Sequence, residues 1–420
     1  MTRKALTALA LLAAAGAAQS QTINIPPDVF PGESYFTANP GATVNVCCSD
    51  GILPDAPDGV FTFNGATVNI NDGGESGFFT LDSFIEDGTY NINDGGKLIR
   101  TKFVAGTGST SFNLSDGGLA RSGLWLQGNA TGTITGGDVG LVASGQAAMI
   151  VEDDASCTMS GGDIDTFILI QDNATFEQSG GTIDGGIQIN HDAVVTVTGG
   201  SSGRNGFTRS IGSVLNISGG TIGRDFVAEK GTVNMSGGGF DVNCAILNAS
   251  GVDPVWNMTG GALGSDFRAY DGTFNLSGGL VGVGFRLGRP TGDGSGVTMN
   301  ITAKSATLDG APIELTTTPL AITARGGETL TCILLDDSVV SFELNESHVF
   351  GEDRFRAGAL LTIKSNCVAD TNGDGTLGPT DFTAWIDAYN NSLPACDQNG
   401  DGSCTPADFT AWITNYNAGC

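Results

Sequence analysis

Apolar and polar residues alternate in short runs along most of this chain, and a pair of glycines closes each run. Leu215-Asn216-Ile217-Ser218, Val233-Asn234-Met235-Ser236, Trp256-Asn257-Met258-Thr259 and Phe274-Asn275-Leu276-Ser277 all read apolar, polar, apolar, polar. A period of two sends successive side chains to opposite faces, so each run predicts a strand with one buried face. The first glycine of the pair falls at 73, 95, 117, 136, 161, 180, 199, 219, 237, 260 and 278, which is ten intervals over 205 residues and a mean period of 20.5. A second apolar segment follows seven and nine places later, at Ile168 and Ile170, Ile187 and Ile189, Phe226 and Ala228, Phe267 and Ala269, and Phe285 and Leu287.

A strand of four or five residues cannot bury its face alone, so coils of this length must stack and share one core. The pattern therefore predicts a mainly β protein whose body is a parallel β-solenoid, a β-helix, right-handed if it follows the commoner hand. Strands stack at about 4.8 Å, so eleven marked coils predict a rod roughly 50 Å long. The first three coils carry Asn-Asp-Gly-Gly or Ser-Asp-Gly-Gly (71–74, 93–96, 115–118) and later ones drop the aspartate, so one corner changes length between the third and fourth coils. Four places after the first glycine stand Gly140, Gly203, Gly223, Gly264 and Gly282, or Asp165, Asp184 and Asp241. Glycine and aspartate sharing a slot predicts a left-handed corner residue there. Asn69, Asn91 and Asn113, and Asn216, Asn234, Asn257 and Asn275, lie opposite the buried positions and read as stacked amides.

Composition agrees with a folded β-rich chain: 65 glycines without a three-residue period exclude collagen, and 40% hydrophobic content excludes disorder. The formal charge of −27 with scattered basic residues excludes binding to a nucleic-acid backbone. Residues 1–20 read as a secretory signal, with Arg3 and Lys4, the apolar run Ala5 to Ala18 and small residues before Gln21. No other run reaches the ~20 apolar residues of a membrane span, so the expected location is secreted, extracellular or cell-surface. Residues 21–58, rich in proline and holding Cys47-Cys48, read as an N-terminal cap; 59–296 as the solenoid; and 297–366 as a final coil and β cap. Nine cysteines in an exported chain permit disulfides, and the odd number leaves at least one free or intermolecular. Four of them, Cys367, Cys396, Cys404 and Cys420, mark residues 367–420 as a separate module with three possible pairings.

That module holds a duplication. Asp370-Thr371-Asn372-Gly373-Asp374-Gly375-Thr376 with Asp381 at position twelve returns 27 residues later as Asp397-Gln398-Asn399-Gly400-Asp401-Gly402-Ser403 with Asp408. A hard cation such as Ca²⁺ takes six to eight oxygens, and side chains at positions one, three, five and twelve with a carbonyl at seven supply them around a glycine turn. Both loops run into Asp-Phe-Thr-Ala-Trp-Ile, where Phe382, Trp385, Ile386 and Tyr389, and again Phe409, Trp412, Ile413 and Tyr416, predict two amphipathic helices. Seven aspartates with no Lys, Arg or Glu give the module a charge of −7, which two Ca²⁺ ions would bring to −3.

These residues resemble a type I dockerin, in the subgroup whose chains end in Gly-Cys, here Gly419-Cys420. The resemblance implies two Ca²⁺ ions, one held by Asp370, Asn372, Asp374, Thr376 and Asp381 and the other by Asp397, Asn399, Asp401, Ser403 and Asp408. It also implies docking of the helices onto a cohesin-like or other surface receptor. The Lys-Arg pair usual in cellulosomal dockerins is replaced by Ile386-Asp387-Ala388 and Ile413-Thr414-Asn415, and Pro379 and Pro406 stand at loop position ten.

The body resembles β-helix proteins of the pectate-lyase-like or autotransporter-like kind, which implies either a polysaccharide lyase or glycoside hydrolase, or a structural and binding rod. Its chemistry favours the rod. His191 lies in a corner, Asn190-His191-Asp192, and His348 is the only other histidine. Asp165 and Asp184 have glycine in their place in neighbouring coils, and Arg268 and Arg286, with Asp225, Glu229, Asp266 and Tyr270 beside them, read as a self-paired outer stripe. The expected function is an exported, calcium-dependent, dockerin-anchored solenoid that binds or supports extracellular material, a polysaccharide among the candidates.

Overall fold

A computed structural model describes residues 22–25, 41, 43–46, 52–53, 60–76, 83–104, 109–140, 146–248, 251–291, 293–347, 352–372 and 377–418. The expected signal segment, Cys47-Cys48, His348, Asp374, Thr376 and Gly419-Cys420 lie outside them. The protein is a mainly β, parallel β-solenoid of about ten turns with two short helices near its C-terminus. None of its described helices is long and apolar enough to cross a membrane.

The chain divides into two compact units, Met1–Asp165 and Thr166–Cys420. In the first, Thr22–Ile25, Thr43–Val46, Val60–Ile70, Ser83–Ile92, Ser111–Leu114, Thr131–Ile134 and Ser156–Met159 pair in that order, all parallel. The segment read as an N-terminal cap thus contributes strands to the stack. A second line runs from Lys97–Val104 to Leu119–Gln127 and on to Asp138–Gly140 and Met149–Val151.

The second unit repeats the plan from Thr175–Gln178 through Val194–Val197, Val214–Ile217, Thr232–Met235, Val255–Leu263, Gly272–Val281 and Val297–Leu308 to Leu360–Lys364. Between the last two strands an antiparallel hairpin, Gly326–Leu334 with Val339–Asn345, packs on the far half of Val297–Leu308. Asp336 Oδ2 fastens its turn by accepting the Gly279 N–H at 2.7 Å, and Leu335 N–H bonds Ser277 O at 2.8 Å.

Register explains the core. Leu215, Val233, Trp256, Phe274 and Met299 occupy one inward column and Ile217, Met235, Met258, Leu276 and Ile301 the next, all buried. The second apolar segment supplies Phe226, Phe267 and Phe285 from the opposite wall, also buried. Rings then meet along the axis: Phe226–Phe240, Phe240–Trp256, Trp256–Phe267, Phe267–Phe285 and Phe285–Phe355 have centroids 5.2, 4.6, 5.0, 6.0 and 5.6 Å apart. Burying each such side chain contributes about 1.5–3 kcal/mol, which a lone coil would forfeit.

The outward asparagines form hydrogen-bonded ladders. In the first unit Asn113 donates to Asn91, Asn91 to Asn69 and Asn69 to Asn45, at 2.8, 2.8 and 2.9 Å. In the second, Asn234 donates to Asn216, Asn257 to Asn234, Asn275 to Asn257 and Asn300 to Asn275, at 2.8–2.9 Å.

The glycine pairs stack as the period requires, and the corner changes where the spacing changes. Through the third coil the first glycine is left-handed (Gly73 φ 74, Gly95 φ 71, Gly117 φ 73), and from the fourth it is the second (Gly137 φ 72, Gly200 φ 76, Gly220 φ 69). The expectation for the Gly/Asp slot is corrected: Gly203, Gly223, Gly264, Asp184 and Asp241 are not left-handed. The left-handed corner lies two residues on, at Asn205, Asp225, Asn243, Asp266 and Gly284, with φ between 59 and 78. Glycine in the earlier slot answers crowding instead, since a Cβ on Gly203 would meet Asp184 O at 1.9 Å.

Candidate functional site

The duplicated segment folds as two helices, Pro379–Asn390 and Pro406–Ala418, each opened by its loop. Proline at the first helical position suits an N-terminus, because its missing N–H has no intrahelical partner to lose. Trp385, Trp412 and Ala369 are buried together, with Leu377, Phe382, Tyr389 and Tyr416 packed on them. The indoles are tied at their polar ends: Trp385 Nε1 donates to Cys396 O at 3.1 Å and Trp412 Nε1 to Thr371 Oγ1 at 3.2 Å. So small a core needs staples, and one is the Cys396–Cys404 disulfide, which joins two of the four cysteines of the module. Cys367 is also disulfide-bonded.

The second loop winds around its own carboxylates. Asp397 accepts N–H groups from Gly400 at 2.9 Å, Asp401 at 3.1 Å and Gly402 at 2.9 Å. Asn399 Oδ1 accepts from Asp401 N–H and Asp401 Oδ1 from Ser403 N–H, both at 2.9 Å. Gly400 (φ 75) and Gly402 (φ 82) take the left-handed turns that this winding requires. Asp408, at position twelve, is fully buried. The Thr405 N–H above all, with those of Asn399 and Gln398, holds its carboxyl below the usual carboxylate range.

The first loop repeats the closing bonds. Asp381, also fully buried, accepts from Asn372 N–H at 3.2 Å and Gly378 N–H at 2.8 Å; Asp408 accepts from the matching Asn399 N–H at 3.2 Å and Thr405 N–H at 2.7 Å. Position twelve in each copy thus caps the following helix and clamps the loop back on position three. Asp370 is buried and Asn372 exposed.

The donor set is all oxygen, from Asp, Asn and Ser, which suits a hard cation. Among the described residues, however, no three His, Cys, Asp or Glu side chains are grouped to hold a metal ion. In the second loop the acids turn their oxygens onto backbone N–H groups instead.

Beside the loops the helices leave an apolar groove of about 290 Å³, lined by Pro379, Phe382, Phe409, Trp412, Ile413 and Tyr416 among others. Phe409 and Ile413 are exposed there, as is Ile386 on the first helix.

On the solenoid, the arginine column extends further than sequence spacing indicates. Arg268 pairs with Arg286, and Arg286 with Arg354, which a 66-residue excursion kept from view. Arg286 bonds Asp266 at 2.7 Å, Arg268 donates to Asn243 O, and Arg354 Nη2 donates to Gly288 O at 2.9 Å. Burial pushes the Arg354 guanidinium down from its ordinary range. Each guanidinium thus bonds the fold through Nη2, Arg286 to an acid and the other two to carbonyls, while the Nε of Arg268, Arg286 and Arg354 is buried without a hydrogen-bond partner among the described residues. His191 is an exposed left-handed corner residue (φ 53) whose Nδ1 lies 2.8 Å from Asp172. Asp165 and Asp184 are exposed.

The free thiols of Cys157, Cys244 and Cys332 are buried. Burial raises all three, with Cys244 and Cys332 pushed up to about 12.

No family model, curated protein or solved structure matches the chain. The functional reading therefore rests on the residues and their geometry.

Proposed function

We propose that this chain is a secreted, calcium-binding β-solenoid, anchored through a dockerin-like C-terminal module, that serves as an extracellular or cell-surface structural and binding protein. The observation that carries the reading is the repeated clamp: in both copies position twelve takes the N–H of positions three and nine, at distances within 0.1 Å of each other. Two loops of the same residue pattern, closed by position twelve in the same way, support two equivalent cation sites, held by Asp370, Asn372, Asp374, Thr376 and Asp381 and by Asp397, Asn399, Asp401, Ser403 and Asp408. In the second loop, bound Ca²⁺ would draw the oxygens of Asp397, Asn399 and Asp401 away from the backbone N–H groups from which they now accept.

The groove beside Phe382 and Phe409 is the docking face of this reading. Its receptor, cohesin-like or another surface protein, would insert an apolar side chain there. The module has no cationic side chain, so the receptor face would bring Lys or Arg. The engaged arginines and corner histidine of the solenoid support a supporting and binding body over a catalytic one.

Calorimetric titration of the full chain with Ca²⁺ tests the proposal. Two ions per chain are expected, and one for Asp397→Asn. No calcium heat, or an unchanged stoichiometry in the variant, would remove the metal sites. Steady release of sugars from a polysaccharide panel would overturn the non-catalytic reading.

A further inference from the structure

In the second unit a depression of about 200 Å³ runs along the outward asparagine ladder. Two rails line it, Asn216, Asn234 and Asn257 on one side and Ser218, Ser236 and Thr259 on the other. The rails are two residues apart on each strand, so both repeat once per coil, at about 4.8 Å.

Their hydrogen-bonding capacity is only partly used. An amide carries two N–H donors and two acceptor lone pairs. The ladder takes one N–H and one lone pair of Asn234, toward Asn216 and Asn257, and leaves the others for a ligand. Ser236 and Thr259 donate their hydroxyl protons weakly to Ile217 O and Met235 O, both at 3.4 Å, so their oxygens are free to accept. Ser218, Ser236 and Thr259 are exposed, whereas the next rung, Ser277, is only partly so, with Leu335 of the fastened hairpin turn bonded to its carbonyl. The groove is therefore bounded at that end.

No charged residue lines the depression, although the chain carries 45 acids and 18 basic side chains. An anionic or cationic ligand would find no counter-charge. A neutral polymer with hydroxyls that both donate and accept, repeating at about one unit per coil, matches both rails. An extended 1,4-linked pyranose chain has that repeat. We propose that this groove binds a neutral, linear 1,4-linked polysaccharide along the solenoid axis, with each sugar addressed by one amide and one hydroxyl. The proposal rests on the reading of the body as a binding surface and is independent of the calcium module.

The test is native affinity electrophoresis of the full chain in gels containing hydroxyethylcellulose, soluble β-1,4-xylan or polygalacturonate. Retardation by at least one of the two neutral polymers, and not by polygalacturonate, is expected. Ser236→Trp, which fills the groove from the hydroxyl rail, and Thr196→Trp, which fills it from the rung before Asn216 in the amide column, should weaken binding at least tenfold with unchanged melting temperature. Val283→Trp, at an exposed site outside the groove, should bind as the native chain does. Absence of retardation in both neutral gels, equal retardation by polygalacturonate, or undiminished binding in a groove variant that is folded by its melt would overturn the proposal. Release of reducing ends in the neutral gels would support the groove as a carbohydrate site while overturning the non-catalytic reading.

Discussion

Replacing Phe267 by alanine removes a ring that three others touch, with Trp256, Phe274 and Phe285 centroids at 5.0, 5.5 and 6.0 Å. Phe267 is 1% exposed, so the loss includes nearly the whole side-chain transfer term and a cavity. Such truncations cost about 3–5 kcal/mol, depending on how far the surroundings collapse. Collapse is hindered here, because the strands above and below are held in register by ladder bonds at Ala269 and Leu287. About 4 kcal/mol is therefore expected. In a stack where coils touch only their neighbours the damage should stay local. Urea unfolding followed by near-ultraviolet circular dichroism measures the loss, with Val283→Ala, at 72% exposure, as a control near zero. Hydrogen exchange should locate faster opening in Val255–Leu263 and Gly272–Val281. A loss below about 1.5 kcal/mol, under half the range for such truncations, would refute the shared core as the source of stability.

Two further outcomes follow from corners and thiols. Gly220→Ala should lower stability by at least about 1–2 kcal/mol from the left-handed backbone alone, and by more because its Cβ would meet Gly199 and Gly200 atoms at 2.8 Å; an unchanged melting temperature would contradict this. Cys244 and Cys332, with thiols pushed up to about 12, stay protonated at pH 8, as does Cys157. Peptide mapping after iodoacetamide should show all three unmodified in the native chain and modified in denaturant.

Much of this fold was legible because a buried column needs the same residue class once per coil, and the glycine pair marks where each coil turns. Leu215, Val233, Trp256 and Phe274 announce their stack by position alone. The corner slot was misread because glycine answers two different demands. At Gly220 it supplies positive φ, whereas at Gly203 it makes room for a neighbouring carbonyl, and a single sequence does not separate the two. Arg354 could not be assigned to the arginine column because the hairpin interrupts the period before it. In the module the loop positions were legible from spacing. The second duty of Asp381 and Asp408, clamping position three while capping a helix, emerges only from the N–H groups around them.

The most direct test of the proposal that calcium folds the C-terminal module is hydrogen exchange on the full chain with calcium and with chelator. Pro379–Asn390 and Pro406–Ala418 should be protected in calcium and lose that protection in chelator, while Val214–Ile217 and Thr232–Met235 stay unchanged. Equal protection of both helices in the two conditions would contradict the account.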